Sequence, residues 1–155
     1  MHKRPGVDDF LKRLAPFYEI VIYTASLSKY ADPLMDDLDV LKVCTSRLFR
    51  EHCTFYNGIF VKDLSRIDRE LKDSIIIDNS PSSYLFHPEC ALPITSWYDD
   101  FSDNELTMLT PILEALSRVD DVRTYLSMFV KDNRVLFTKA AQVLRGGKLQ
   151  ERSNS

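Results

Sequence analysis

The sequence predicts an α/β fold in which helices cover both faces of a parallel sheet. Two short apolar, β-branched runs, Tyr18-Glu19-Ile20-Val21-Ile22-Tyr23 and Ser74-Ile75-Ile76-Ile77-Asp78-Asn79, read as strands buried on both sides. Segments with apolar residues at helical spacing lie before, between and after them. Strands that alternate with helices imply a parallel sheet between two helical layers.

Pro5-Gly6 opens a first helix, Val7 to Leu14, with Val7, Phe10, Leu11 and Leu14 at helical spacing. Asp8 and Asp9 suit the positive end of its dipole. The first strand follows Pro16 and ends at Thr24-Ala25-Ser26. Ser28 to Leu38 reads as a helix with Tyr30, Leu34 and Leu38 on one face, and Pro33 falls in its first turns, where a missing amide is tolerated. Cys53 to Val61 holds two extended runs around Asn57-Gly58, a strong type I′ hairpin signal. A short helix from Leu64 to Leu71 precedes the second strand, which Ser80-Pro81 closes, and Ala91 to Ile94 is one more short strand. Ser102-Asp103-Asn104-Glu105 marks the entry to a helix whose Leu106, Leu109, Ile112, Leu113 and Leu116 belong to the core. A last helix runs from about Asp120 to Phe129. Residues 1–130 thus form one domain, and 131–155 a basic tail that frays at its end.

Charge and cysteine content narrow the function classes. The chain carries a net −3, which gives no reason to expect a nucleic-acid partner. The tail is +4, leaving −7 on the first 130 residues. Cys44, Cys53 and Cys90 are odd in number and scattered, with neither zinc-ligand spacing nor a disulfide framework, as in a reducing compartment. No apolar run approaches the roughly 20 residues that span a bilayer. The first residues do not form a signal peptide. These features describe a soluble intracellular protein.

Parallel α/β sheets bind ligands outside the carboxyl ends of their strands, and Thr24 and Asp78-Asn79 sit at two such ends. Thr24 offers a hydroxyl, and the helix after it points backbone amides to the same edge. Asp78 and Asn79 supply the hard oxygens that Mg²⁺ prefers. Arg50 and Lys62 flank the hairpin and add positive charge. Such groups hold and neutralise an oxyanion in phosphoryl transfer. Each also has a plainer use: a threonine after a strand caps a helix, and Asp-Asn-Ser-Pro makes a turn. His52 and His87 read as structural or surface residues, and Trp97 and Tyr98 as core aromatics.

The chain resembles the small C-terminal-domain phosphatases of the haloacid-dehalogenase superfamily. The matching stretches include Arg4-Pro5-Gly6, Val21-Ile22-Tyr23-Thr24-Ala25-Ser26, Lys29-Tyr30-Ala31-Asp32-Pro33 and Leu48-Phe49-Arg50-Glu51-His52-Cys53. They continue through Val61-Lys62-Asp63-Leu64, Ile77-Asp78-Asn79-Ser80-Pro81, His87-Pro88, Ser96-Trp97-Tyr98-Asp99 and Asp120-Asp121-Val122-Arg123, covering Arg4 to Leu126. The resemblance implies a haloacid-dehalogenase-like, Rossmann-like sheet and a Mg²⁺-dependent phosphoserine/phosphothreonine protein phosphatase with RNA polymerase II tail-like substrates and a nuclear location. It assigns Thr24 to a phosphate oxygen, Lys62 to neutralising the phosphate and a phospho-aspartyl intermediate, Arg50 to gripping the phosphate, Asp78 and Asn79 to the metal, and Leu27 and Tyr30 to the peptide groove.

The family's first motif, Asp-x-Asp-x-Thr/Val, supplies the attacking aspartate and the acid-base aspartate from a central strand before the segment that matches Arg4. The present sequence contains no such motif; Asp37-Leu38-Asp39 is followed by Val40-Leu41 and lies on a predicted helix. The expectations are that the first strand and the insertion after it are missing, that the strands ending at Thr24 and Asp78 lack a neighbour, and that this chain is inactive alone while its parent is active. Marginal stability or self-association should follow. Two other readings are a phosphopeptide-binding module without turnover and a domain related to a mitochondrial import-receptor subunit.

Overall fold

The computed structural model describes residues 2–130; the tail read from 131 onward lies outside the described residues. Its elements are α1 (Val7–Leu14), β1 (Ile20–Tyr23), α2 (Ser28–Leu38), β2 (Cys44–Leu48), β3 (Thr54–Tyr56), β4 (Ile59–Val61), β5 (Ile76–Asp78), β6 (Ala91–Pro93), α3 (Glu105–Leu116) and α4 (Val122–Val130). The chain is α/β, as predicted.

The strands form three pairs rather than one continuous sheet. β1 runs parallel to β2, β5 runs parallel to β6, and β3 and β4 form an antiparallel hairpin. Among the described residues β1 and β5 each have a partner on one side only. The two strands whose ends carry Thr24 and Asp78 are thus not bonded to each other.

Packing follows the apolar pattern. Leu14 of α1, Leu92 of β6, Leu109, Ile112, Leu113 and Leu116 of α3 and Val122 and Leu126 of α4 form the main core, with Ile20 and Ile77 packed against it. A second cluster joins Leu64, Ile76, Tyr84, Cys90 and Ala91 beneath the loop after β5. A third sets Ala31 and Met35 of α2 against Phe49, beside Ile22. Arg47 of β2 pairs with Asp32 and Asp36 of α2 at 3.0 and 2.8 Å, tying that helix to its strand.

Several expectations are corrected. β2 carries no strand signal of its own, because Cys44-Thr45-Ser46-Arg47-Leu48 lacks an apolar alternation. Its register skips Thr45, since Ile20 faces Cys44 and Val21 faces Ser46. The helix predicted over Leu64 to Leu71 is two 3₁₀ turns, Leu64–Arg66 and Leu71–Asp73. Between them Asp68 has φ +58°, a left-handed conformation that interrupts a helix. The type I′ turn holds, with φ +48° at Asn57 and +81° at Gly58.

Candidate active site

The turn after β1 is built by its own hydroxyl. Thr24 Oγ1 accepts from the Ser26 amide at 3.1 Å, while the Thr24 amide donates to the Leu48 carbonyl at 3.0 Å and extends the β1–β2 ladder by one bond. Arg50 fastens the same turn to the hairpin. Its amide donates to Ser26 O at 3.0 Å, its Nε donates to Ala25 O at 2.7 Å, and its guanidinium lies 5.0 Å from the Phe60 ring centroid.

Lys62 follows β4 and reaches Asp78 at the end of β5, with Nζ 2.5 Å from Oδ2. Both side chains are buried, at 10% and 8% exposure. The other Asp78 oxygen accepts from the Ser80 amide at 2.9 Å. The Lys62 amide donates to Ser83 O at 2.8 Å, so the loop that follows the aspartate also holds the lysine's main chain. The ammonium stands 5.7 Å from the Tyr23 ring centroid, which brings the end of β1 to the same place. Burial drives the Tyr23 phenol's pKa upward, and its hydroxyl donates to His52 O at 2.6 Å.

Tyr23, Lys62, Asp78 and Asn79 line a hollow of about 400 Å³ together with Arg4, Thr95, Ser96 and Trp97. Thr24 and Tyr30 line a second hollow of about 260 Å³, and Arg4 lines both. One pocket shared by all the predicted residues is therefore not what the structure has. Lys62, Asp78 and Asn79 stand together, Thr24 and Tyr30 open beside them, and Arg50 and Leu27 line neither hollow.

Tyr30 is 65% exposed, with Lys29 Nζ 5.0 Å from its ring centroid, and Leu27 is also exposed. Trp97 and Tyr98 are not core aromatics. Tyr98 is 82% exposed, and Trp97 stacks edge-on with exposed Phe101 and donates Nε1–H to Asp100 O at 2.6 Å. His52 Nδ1 accepts from the Phe49 amide at 2.9 Å, and His87 bonds Asp63 at 3.0 Å, both structural uses. Asp39 ends α2 and accepts from the Val43 and Cys44 amides, a structural place for the acid of Asp37-Leu38-Asp39.

Arg4, Tyr23, Thr95 and Ser96 were not selected from sequence. Ser96 lies just past the end of β6, where the rule that selected Thr24 and Asp78 applies equally. The partners of Arg4 lie 91 to 101 residues away, beyond any local pattern.

The hard oxygens of Asp78 and Asn79 suit a magnesium ion that keeps most of its waters, since one or two protein ligands are usual for it. Each Asp78 oxygen has one bonded partner and a further lone pair. Among the described residues no group of three or more His, Cys, Asp or Glu gathers to form a fuller cage.

Together these features place a buried lysine–aspartate pair, Lys62 after the hairpin and Asp78 at the carboxyl end of β5, in an α/β fold. Residues 1–123 match the family model described as NLI interacting factor-like phosphatase. The chain is 60% identical to a probable C-terminal domain small phosphatase of Dictyostelium discoideum, covering 80% of this chain and 40% of that protein. It is 56% identical to the human carboxy-terminal domain RNA polymerase II polypeptide A small phosphatase 2, covering 80% and 46%. It is 52% identical to the phosphatase Herzog of Drosophila melanogaster, covering 80% and 35%. The chain belongs to the NLI interacting factor-like phosphatase family, and it spans less than half the length of these relatives.

Proposed function

We propose that the domain holds a phosphoseryl or phosphothreonyl side chain at the carboxyl ends of β1 and β5, and that the whole protein hydrolyses it through an aspartyl-phosphate intermediate. The observation that carries this reading is the buried Lys62–Asp78 pair, with Asn79 and Tyr23 in one hollow. A buried ammonium is a strong donor for a phosphoryl oxygen because little water competes with it. Lys62 neutralises the incoming charge; Thr24 opens to the adjoining hollow and Arg50 lines neither, so the phosphate is assigned to the Lys62 side alone.

Asp78 and Asn79 would hold a magnesium ion through their side-chain oxygens. When bound it supplies further neutralisation of the phosphoryl oxygens. Leu27 and Tyr30 give the neighbouring peptide an apolar edge. The substrate class is an extended phosphorylated segment of the RNA polymerase II tail type, met in the nucleus. The sequence carries no Asp-x-Asp-x-Thr motif, so binding without turnover is the behaviour expected of these 155 residues.

Calorimetry with a phosphoserine peptide and its unphosphorylated twin tests this reading. Binding should require the phosphate and weaken about 10- to 100-fold in Lys62→Ala, the worth of one charge-assisted hydrogen bond. Equal affinity for both peptides would sink it. Hydrolysis of a small phosphate ester by these residues alone would overturn the expectation of binding only.

A further inference from the structure

The Asn79 carboxamide donates through Nδ2 to Ser96 Oγ at 2.8 Å. That bond crosses from the residue after β5 to the segment after β6, and both residues line the hollow that contains Lys62 and Asp78. We propose that Ser96 is a positioning residue, whose hydroxyl holds the nitrogen end of the Asn79 carboxamide and leaves its oxygen for a divalent cation beside Asp78. The inference rests on the reading of Asp78 and Asn79 as that cation's protein ligands.

A carboxamide presents a donor nitrogen and an acceptor oxygen at opposite edges of one planar group. An exposed asparagine without a partner samples both orientations through a soft terminal torsion. A fixed acceptor for its nitrogen removes that choice, and only the oxygen end can ligate a hard cation. Ser96 thus does for Asn79 what outer partners commonly do for metal ligands.

Ser96 is itself held through the residue before it. The Thr95 amide and hydroxyl both donate to Glu105 Oε2, at 3.0 and 2.6 Å. The Thr95 carbonyl accepts from Arg4 Nη1 at 2.7 Å. Arg4 is fastened by Asp103 through Nε and Nη2, at 2.7 and 3.1 Å, and by Glu105 at 2.5 Å. Its side chain is only 14% exposed. Arg4 stands just before α1 and Glu105 opens α3, and these two helices pack on each other. Both backbone polar groups of Thr95 are thus gripped by the framework, and the neighbouring hydroxyl inherits that placement.

The first test needs no metal. In NMR spectra of the 155-residue chain the Asn79 side-chain amide should be restrained; Ser96→Ala should free it and Ser96→Thr restore it. Because both residues are exposed, the melting temperature should stay within about 2 °C of the parent. Arg4→Lys, which keeps the charge but not the fork, should loosen the same resonances. An Asn79 amide unchanged by Ser96→Ala overturns the proposal, and one unchanged by Arg4→Lys overturns the clamp.

The second test titrates Mg²⁺ and follows Asp78 and Asn79. Ser96→Ala should weaken the apparent affinity about 10-fold, with Ser96→Thr recovering it. A parent that responds to Mg²⁺ while Ser96→Ala matches it overturns this inference alone. A parent whose Asn79 depends on Ser96 but shows no Mg²⁺ response overturns the ligand assignment and the cation role of Ser96 together.

Discussion

Removing one member of the Lys62–Asp78 pair should be among the most damaging single changes to the domain. Lys62→Met keeps most of the stem but strands a carboxylate that is 8% exposed. Breaking a buried pair from one side costs about 3–5 kcal/mol, because the remaining charge has lost both water and partner. For a chain of this size that is a fall of roughly 10–15 °C in melting temperature. Asp78→Leu should cost a similar amount, since it strands the ammonium and also strips the acceptor from the Ser80 amide. The double variant Lys62→Met/Asp78→Leu should recover most of the loss, because an apolar pair replaces an ionic one without an uncompensated charge. It should fall short of the parent by about 1 kcal/mol for the lost Ser80 bond. Urea unfolding followed by Trp97 fluorescence and by circular dichroism completes the double-mutant cycle. Single variants that each cost under about 1 kcal/mol, with additive effects, would refute the buried-pair argument.

Three further outcomes follow from the same structure. Burial pushes the Cys44 and Cys90 thiols up from 9.0 to about 12 and about 11, and the Tyr18 and Tyr23 phenols move in the same direction. The unfolded chain therefore loses these protons first, and stability that is intact below pH 9 should decline as pH rises through the folded values; urea midpoints at pH 8 and 10.5 should show it, with a smaller decline in Cys90→Ala. Gly6→Ala should destabilise more than Gly58→Ala, because both have positive φ but a Cβ at Gly6 would stand 2.9 Å from Thr107 Oγ1 while Gly58 has open space. Thermal melts would check that order, with about 1–2 kcal/mol expected for the strain alone at Gly58. Sedimentation should reveal concentration-dependent association through the one-sided β1, and Val21→Lys, at a position 41% exposed, should reduce it; an unchanged sedimentation profile would refute that role for the edge.

Much of this architecture was legible because the helices are patterned and the turns carry strong signals. α1, α2 and α3 match their predicted spans, and Leu11, Leu14 and the Leu106 to Leu116 stripe are buried as patterned; on α2 the predicted face is corrected, since Tyr30 and Leu34 are exposed and Ala31 and Met35 meet the core instead. The hairpin declared itself through Asn57-Gly58. β2 did not, because its strand character comes from pairing with β1 and from Arg47 reaching α2, neither of which leaves a local period. The segment after Lys62 carries helical spacing, and nothing in its composition marks the left-handed Asp68 that breaks it. At the site, the strand-end rule found Thr24, Asp78 and Asn79. It could not show that Thr24 opens to a different hollow, nor that Arg4 would join both from a distance of many residues.

The bond from the Lys62 amide to Ser83 has a consequence for timing. Lysine and aspartate sit on separate stretches of chain, yet a single loop immobilises the main chain of one and departs directly from the other. The two partners of the ion pair are thereby tied to one stretch of chain, Ser80 to Ser83. On the proposed reading, this shared anchoring would set the ammonium in place as the chain folds, before any anion arrives.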